Sequence, residues 1–285
     1  MIERIKQFIE LVRNETEEIK VSSVDTSILD LYENHTDEKF NNTFSLPLNM
    51  FVDQMGDAPS ADTKQMFYLT STQLRWRRPE RRPAEGYLAG GFAVNGMLDL
   101  LLGPSQFWEN STEVFKTVGQ EGLVDYDLLK QFGWFESVTP VVFQEYTPQF
   151  GCTMLDKETF LKNFFFYDSG LVFPLPFNSP EQYFAALTAS ASVECWQYFY
   201  VDPELIVSKS KGVKYITWAA HTTTNLDVAL RSIQFKANSQ YDRLDLVMEY
   251  MERCVRLLPG AFPFLDFHHH KAHFTKVKEI YERTR

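Results

Sequence analysis

The stretch Met66–Leu102, MFYLTSTQLRWRRPERRPAEGYLAGGFAVNGMLDLLL, limits what this chain can fold into more than any other. Leu74 and Trp76 alternate with Arg75 and Arg77, the period-2 pattern of a strand with one apolar and one polar face. A polar loop holding Pro79 and Pro83 follows, and a second extended run returns over Leu88–Val94. Phe67-Tyr68-Leu69 ahead of the hairpin reads as the end of a helix, and Met97–Leu102 behind it leads into a new element. A strand face of Leu and Trp needs apolar cover. The expected fold is therefore α+β: one domain over residues 1–285, with an antiparallel or mixed sheet, helices packed on it, and helical additions at 1–35 and 221–285.

The rest of the chain supplies that cover. Of 285 residues, 44% are hydrophobic and 25 are Phe, enough for a sizeable core. No apolar run approaches the ~18–20 residues of a membrane span. The N-terminus, Met1-Ile2-Glu3-Arg4, is charged and lacks the apolar core of a signal peptide, so the expected location is the cytoplasm. Cys152, Cys195 and Cys254 are odd in number and far apart, which suits buried thiols and not a disulfide or zinc framework. A net charge of −10 favours solubility and argues against general nucleic-acid binding.

Read in order, the periodicity of Ile2, Ile5, Phe8, Ile9 and Val12 predicts a helix over residues 2–20, and a second helix over Asp25–Tyr32. The polar stretch Asn34–Asn42 reads as a loop, and Ser60 or Asp62 as the cap of a helix reaching Phe67. Helical or irregular packing is expected over Phe107–Val118, a short helix over Asp125–Phe132 and a strand within Phe135–Tyr146. Phe164–Tyr167 and Leu171–Phe173 flank Asp168-Ser169-Gly170 as a hairpin. Ser179-Pro180-Glu181 opens a helix with a cap, a first-turn proline and an acidic first turn. Trp196–Val201 and Val213–Ala220 have strand-like or buried character, and Asn225 caps a helix through Ile233. Leu244, Val247, Met248, Met251, Val255 and Leu258 form the best helical stripe, stopped by Pro259-Gly260, and a C-terminal helix begins at about Phe274.

Phe67-Tyr68-Leu69-Thr70, Leu74-Arg75-Trp76, Gly90-Gly91, Val94-Asn95-Gly96 and Leu98–Leu101 together resemble the central segment of the SUKH superfamily. Leu46-Pro47 is similar to that family's Leu-Pro before a helix, and Trp196-Gln197-Tyr198 is a fainter echo. The likeness spans roughly residues 46–102. The family includes yeast cell-wall assembly regulators and bacterial toxin-immunity proteins. The resemblance implies a non-enzymatic protein-binding module, one that in bacteria neutralises a cognate toxin by direct binding, or a regulatory scaffold without a toxin.

Two polar signals compete for chemistry. Arg75, Arg77, Arg78, Arg81 and Arg82 crowd eight residues with a single acid, Glu80. Guanidinium forks suit carboxylates, so these arginines are the candidate surface for an acidic protein partner; a solvated hairpin paired with the chain's own acids is the plainer reading. Asp266-Phe267-His268-His269-His270-Lys271-Ala272-His273 holds four of the six histidines. His269 and His273 are four apart, a spacing that suits two zinc ligands on a helix and a metal-dependent enzyme. The Glu required after the first His is replaced by His270, and no Cys or second carboxylate lies close, so no metal is expected. No phosphate-binding glycine loop or nucleophile elbow is present, His221 reads as a structural residue, and no cofactor is implied. Should the arginines prove internal, the aromatic stretch Phe164–Phe173 is the next candidate surface.

Overall fold

A computed structural model of the chain describes residues 1–14, 18–79, 88–94, 97–102, 138–144, 151–156, 164–168, 171–212 and 242–285. Seven strands form one antiparallel sheet in sequential order: β1 Lys20–Asp25, β2 Gln73–Arg78, β3 Leu88–Val94, β4 Val138–Gln144, β5 Gly151–Asp156, β6 Phe164–Asp168 and β7 Leu171–Leu175. Helices precede, interrupt and follow it, so the class is α+β, with helices at both termini.

The N-terminal helices fall where apolar spacing and capping allow. α1, Ile2–Asn14, buries Ile2, Ile5, Phe8, Ile9 and Val12. It stops short of the expected residue 20, and Lys20–Asp25 instead forms the edge strand β1. The β-branched residues Val21 and Val24 suit a strand better than a frayed helix end. α2, Ser27–Asp30, runs into a 3₁₀ turn over Leu31–Asn34. The expected loop at 34–42 is largely helical: α3, Asp37–Thr43, starts where Thr36 accepts from the Lys39 amide at 3.2 Å, and it buries Phe40. α4, Ser45–Met55, takes Pro47 into its first turn, where a missing N–H costs no bond. α5, Ala61–Leu69, is capped by Ser60 and delivers Phe67 and Tyr68 to an aromatic cluster with Phe40, Phe44 and Phe51.

The central hairpin is as expected. Leu74 and Trp76 are fully buried, and β2 pairs with β3 without a break from Gln73↔Ala93 to Arg78↔Leu88. The strand seen in Phe135–Tyr146 is β4, Val138–Gln144, whereas β5 was not anticipated. α6, Met97–Leu102, follows β3. The β6–β7 hairpin places Phe166 opposite Phe173, both against Tyr198 at ring-centroid distances of 4.9 and 5.7 Å. Phe164, Phe166 and Phe173 are buried, so these rings of the 164–173 stretch are core and not a contact surface.

α7, Pro180–Ala189, opens on Ser179 and Pro180 as read from sequence. Trp196–Phe199 is a buried 3₁₀ helix and not a strand; α8 is Pro203–Ser210. α9, Arg243–Ala261, carries the expected stripe but runs through Pro259, since a proline this near the C-terminus breaks only one bond of the last turns. α10, His268–Thr284, begins six residues before the expected Phe274 and draws the histidines into the fold. The readings at 107–118, 125–132, 213–220 and 225–233, and His221, lie outside the described residues.

Candidate functional site

Strand alternation divides the arginines. Arg75 and Arg77 lie on the face of β2 opposite Leu74 and Trp76, and Arg78 shares the Trp76 side. Across the edge pair, Lys20 stands opposite Arg77 and Ser23 opposite Arg75. Lys20 and Arg77 are exposed. Arg75 is half-buried; the Gln73 side chain, turned with its oxygen toward it, accepts from Nε at 2.6 Å, and from Ser23 Oγ at 3.1 Å. Arg78 is tied inward, its Nε donating to Glu18 Oε2 at 3.1 Å. Arg81 and Arg82 lie outside the described residues. Of the three described arginines, Arg75 and Arg77 share a face and Arg78 does not. Lys20, which the longer helix had absorbed, joins Arg75 and Arg77 instead. The β-branched Val21 and Val24 are the sequence signal for its strand, and the bulge between Val21 and Ser23 hides the alternation.

The face behind these cations is closely packed into the core. Trp76 is fully buried, donates from Nε1 to Ala191 O at 2.9 Å and to Ser192 Oγ at 3.3 Å, and meets Phe262 edge-on at 4.8 Å. Its ring lies over Gly90, where a Cβ would come within 2.4 Å of it. Gly91 holds φ +142°, and a Cβ there would sit 2.1 Å from Leu74 O. The glycine pair thus serves close packing; it lacks the spacing of a phosphate loop.

The other edge of β3 is shared. β4 pairs with it only at Ala93 and Val94. Farther back, the turn 190–195 takes the place of a strand: Gly91 N donates to Ser192 O at 2.8 Å, Glu194 N to Ala89 O at 3.1 Å, and Gly90 bridges Val193. Ala191, Ser192 and Cys195 all adopt positive φ, 48° to 53°, which non-glycine residues avoid. Glu194 is 3% exposed, its Oε1 has no hydrogen-bond partner, and burial pushes its carboxyl up to about 8. No sequence signal marked this turn, since it contains no Gly, Asn or Asp.

The histidines are part of the same packing. His270 is buried, with Nε2 2.9 Å from Ser190 Oγ and its ring 4.6 Å from Phe199. His269 stacks on Tyr200 at 4.7 Å, with Nε2 2.9 Å from Phe199 O. The His269 and His273 rings are 5.9 Å apart, side by side as the spacing required. Both face the backbone of 198–201, and among the described residues no group of three His, Cys, Asp or Glu side chains could hold a metal ion. Burial pulls His270 down to about 3 and His273 to about 4, so both rings are neutral near pH 7. The arrangement fastens α10 to the 3₁₀ turn. Cys195 and Cys254 are buried free thiols, and burial raises Cys254 to about 12, far from a nucleophile.

No family profile, curated protein or solved structure matches the chain. Among the described residues, no helix is long and apolar enough to cross a membrane.

Proposed function

We propose that the chain is a non-enzymatic protein-binding module of the SUKH type, docking an acidic partner on the outer face of β1 and β2. The observation that carries this reading is the side-by-side placement of Lys20, Arg75 and Arg77 on an edge pair of strands. In a chain of net charge −10 this is a local reversal of sign. Its cations sit on strands, and Trp76 locks the strand beneath them into the core. Arginine forks on a fixed strand meet carboxylates with little ordering left to do, and complementary charge speeds encounter. Arg81 and Arg82 follow β2 in the sequence and belong to the same proposal. The resemblance to immunity proteins narrows the partner to a toxin neutralised by direct binding.

Co-production with the toxin encoded beside its gene tests the reading. The wild-type chain should restore growth. Arg75→Glu with Arg77→Glu should slow association with the purified toxin by about tenfold or more at low salt. A gene with no toxin neighbour points to a regulatory scaffold using the same face; binding that ignores the charge reversal removes the face itself.

A further inference from the structure

The turn 190–195 joins parts of the chain that are remote in sequence. Through Ala191 and Ser192 it receives the Trp76 indole, and through Ser192 and Glu194 it bonds to β3. Ser190 is met by His270. Three of its residues hold positive φ, so the backbone would relax if these bonds were released. In the middle of this joint stands Glu194, an acid with a buried, unpartnered oxygen.

We propose that Glu194 is a proton-operated pin: with its carboxyl protonated the turn stays seated against β3, and loss of that proton as pH rises unseats residues 190–195. No hydrogen-bond donor reaches Glu194 Oε1 to hold a carboxylate. Tyr250 and Cys254 of α9 and the buried thiol Cys195 of the turn itself belong to the same cluster, and burial keeps the Tyr250 hydroxyl and the Cys254 thiol neutral at ordinary pH. The cation acting on Glu194 is Arg253, which also bonds Glu249 at 2.9 Å. From α10 the titratable group at the turn is His270, on Ser190, where Tyr200 also bonds. Trp76, Ala89 and Gly91, which bond the turn from β2 and β3, carry no titratable side chain. A buried carboxylate without a paired cation or donors is costly, whereas a protonated carboxyl is tolerated. The consequence reaches the outer face, because β3 is the strand on which β2 and its arginines are ordered.

The joint opens to give Glu194 an ordinary carboxyl, so opening becomes easier wherever the seated state keeps a proton that the open state has lost. Histidine titration acts in the opposite direction and ends near its ordinary value of 6.5, which fixes the useful window above that pH. Hydrogen exchange of the full-length protein, followed by mass spectrometry on peptides covering 88–94 and 190–195, tests the pin. After correction for intrinsic exchange, protection in the wild type should fall about tenfold per pH unit between about pH 6.5 and about pH 8. Glu194→Gln, whose amide imitates the protonated carboxyl, should keep protection level across that window. Flat protection in the wild type overturns the proposal, whether or not the variant folds. So does an equal fall in Glu194→Gln.

Discussion

The β1–β3 meander and the 190–195 turn meet along the backbone of β3 and at one side chain of β2, Trp76, and are built on opposite terms. In the meander each residue sits where its chemistry suits it: Leu74 and Trp76 inward, Arg77 outward, and the β2–β3 ladder unbroken. In the turn, Ala191, Ser192 and Cys195 occupy a backbone region that favours glycine, and Glu194 is buried with an oxygen unmatched. Regular alternation supplies stability that depends little on conditions. The irregular segment survives because the regular one holds it, and its energy varies with pH.

The largest expected effect falls on the shared residue. Trp76→Ala removes a fully buried ring and should cost ~3–5 kcal/mol in urea unfolding. A melting temperature within a degree or two of wild type would show that the two regions are not joined through it. Next comes Gly91→Ala, which forces a Cβ to 2.1 Å from Leu74 O at φ +142° and should cost ~1–3 kcal/mol or more. Gly260→Ala is the control: nothing lies within 4 Å, and the α9 backbone is helical, so stability should hold or rise.

The third effect separates the regions by pH. His270 and His273 lie below their ordinary value of 6.5, so their contribution is whole above pH 6.5 and is lost as pH falls toward about 4 and about 3. Glu194 lies above its ordinary 4.5, so its contribution is whole below 4.5 and is lost as pH rises toward about 8. Between 4.5 and 6.5 two histidines outweigh one acid; above 6.5 the acid acts alone. For these three groups stability peaks near pH 6.5, and melting temperatures across pH 4.5 to 8.5 should trace that peak. A His270→Gln, His273→Gln variant should lose the acid limb only; a limb that persists places its origin elsewhere.

The smallest effect is expected at the cations. Arg77 is exposed, and Arg77→Ala should shift stability by no more than ~0.5 kcal/mol. Arg78→Ala breaks a half-shielded pair with Glu18 and should cost up to ~1 kcal/mol. If binding of a partner responds more to Arg78 than to Arg77, the outer face is the wrong surface.

What could be read from sequence follows the same division. The alternation of Leu74 and Trp76 with the arginines, the Ser179-Pro180 start of α7 and the stripe from Leu244 to Leu258 are local patterns, and each produced its element. Where tertiary contacts decide, local patterns missed. Asn34–Asn42 looks like loop, yet Phe40 within it becomes a buried anchor of α3. The histidine run looks like solvent or metal chemistry, yet His270 is core because Ser190, eighty residues earlier, lies beneath it. The same holds for the candidate surface. Arg75 and Arg77 follow from strand parity, but Lys20 needed the pairing of β1 with β2, and the inward turn of Arg78 needed Glu18.

The Trp76 indole and the carbonyl that receives it are 115 positions apart in the chain. Synthesis adds ~5–20 residues per second, so the hairpin waits on the order of ten seconds for the segment that completes it. During that interval β3 has a bare edge beside the site of Gly90 and Gly91, and the Trp76 N–H has no acceptor there. An exposed strand edge next to a large apolar ring is the combination that joins chains to one another. The most regular part of the molecule is thus the part most open to pairing with another chain while it is being made. Its safety as a newborn strand rests on the late arrival of residues 190–195.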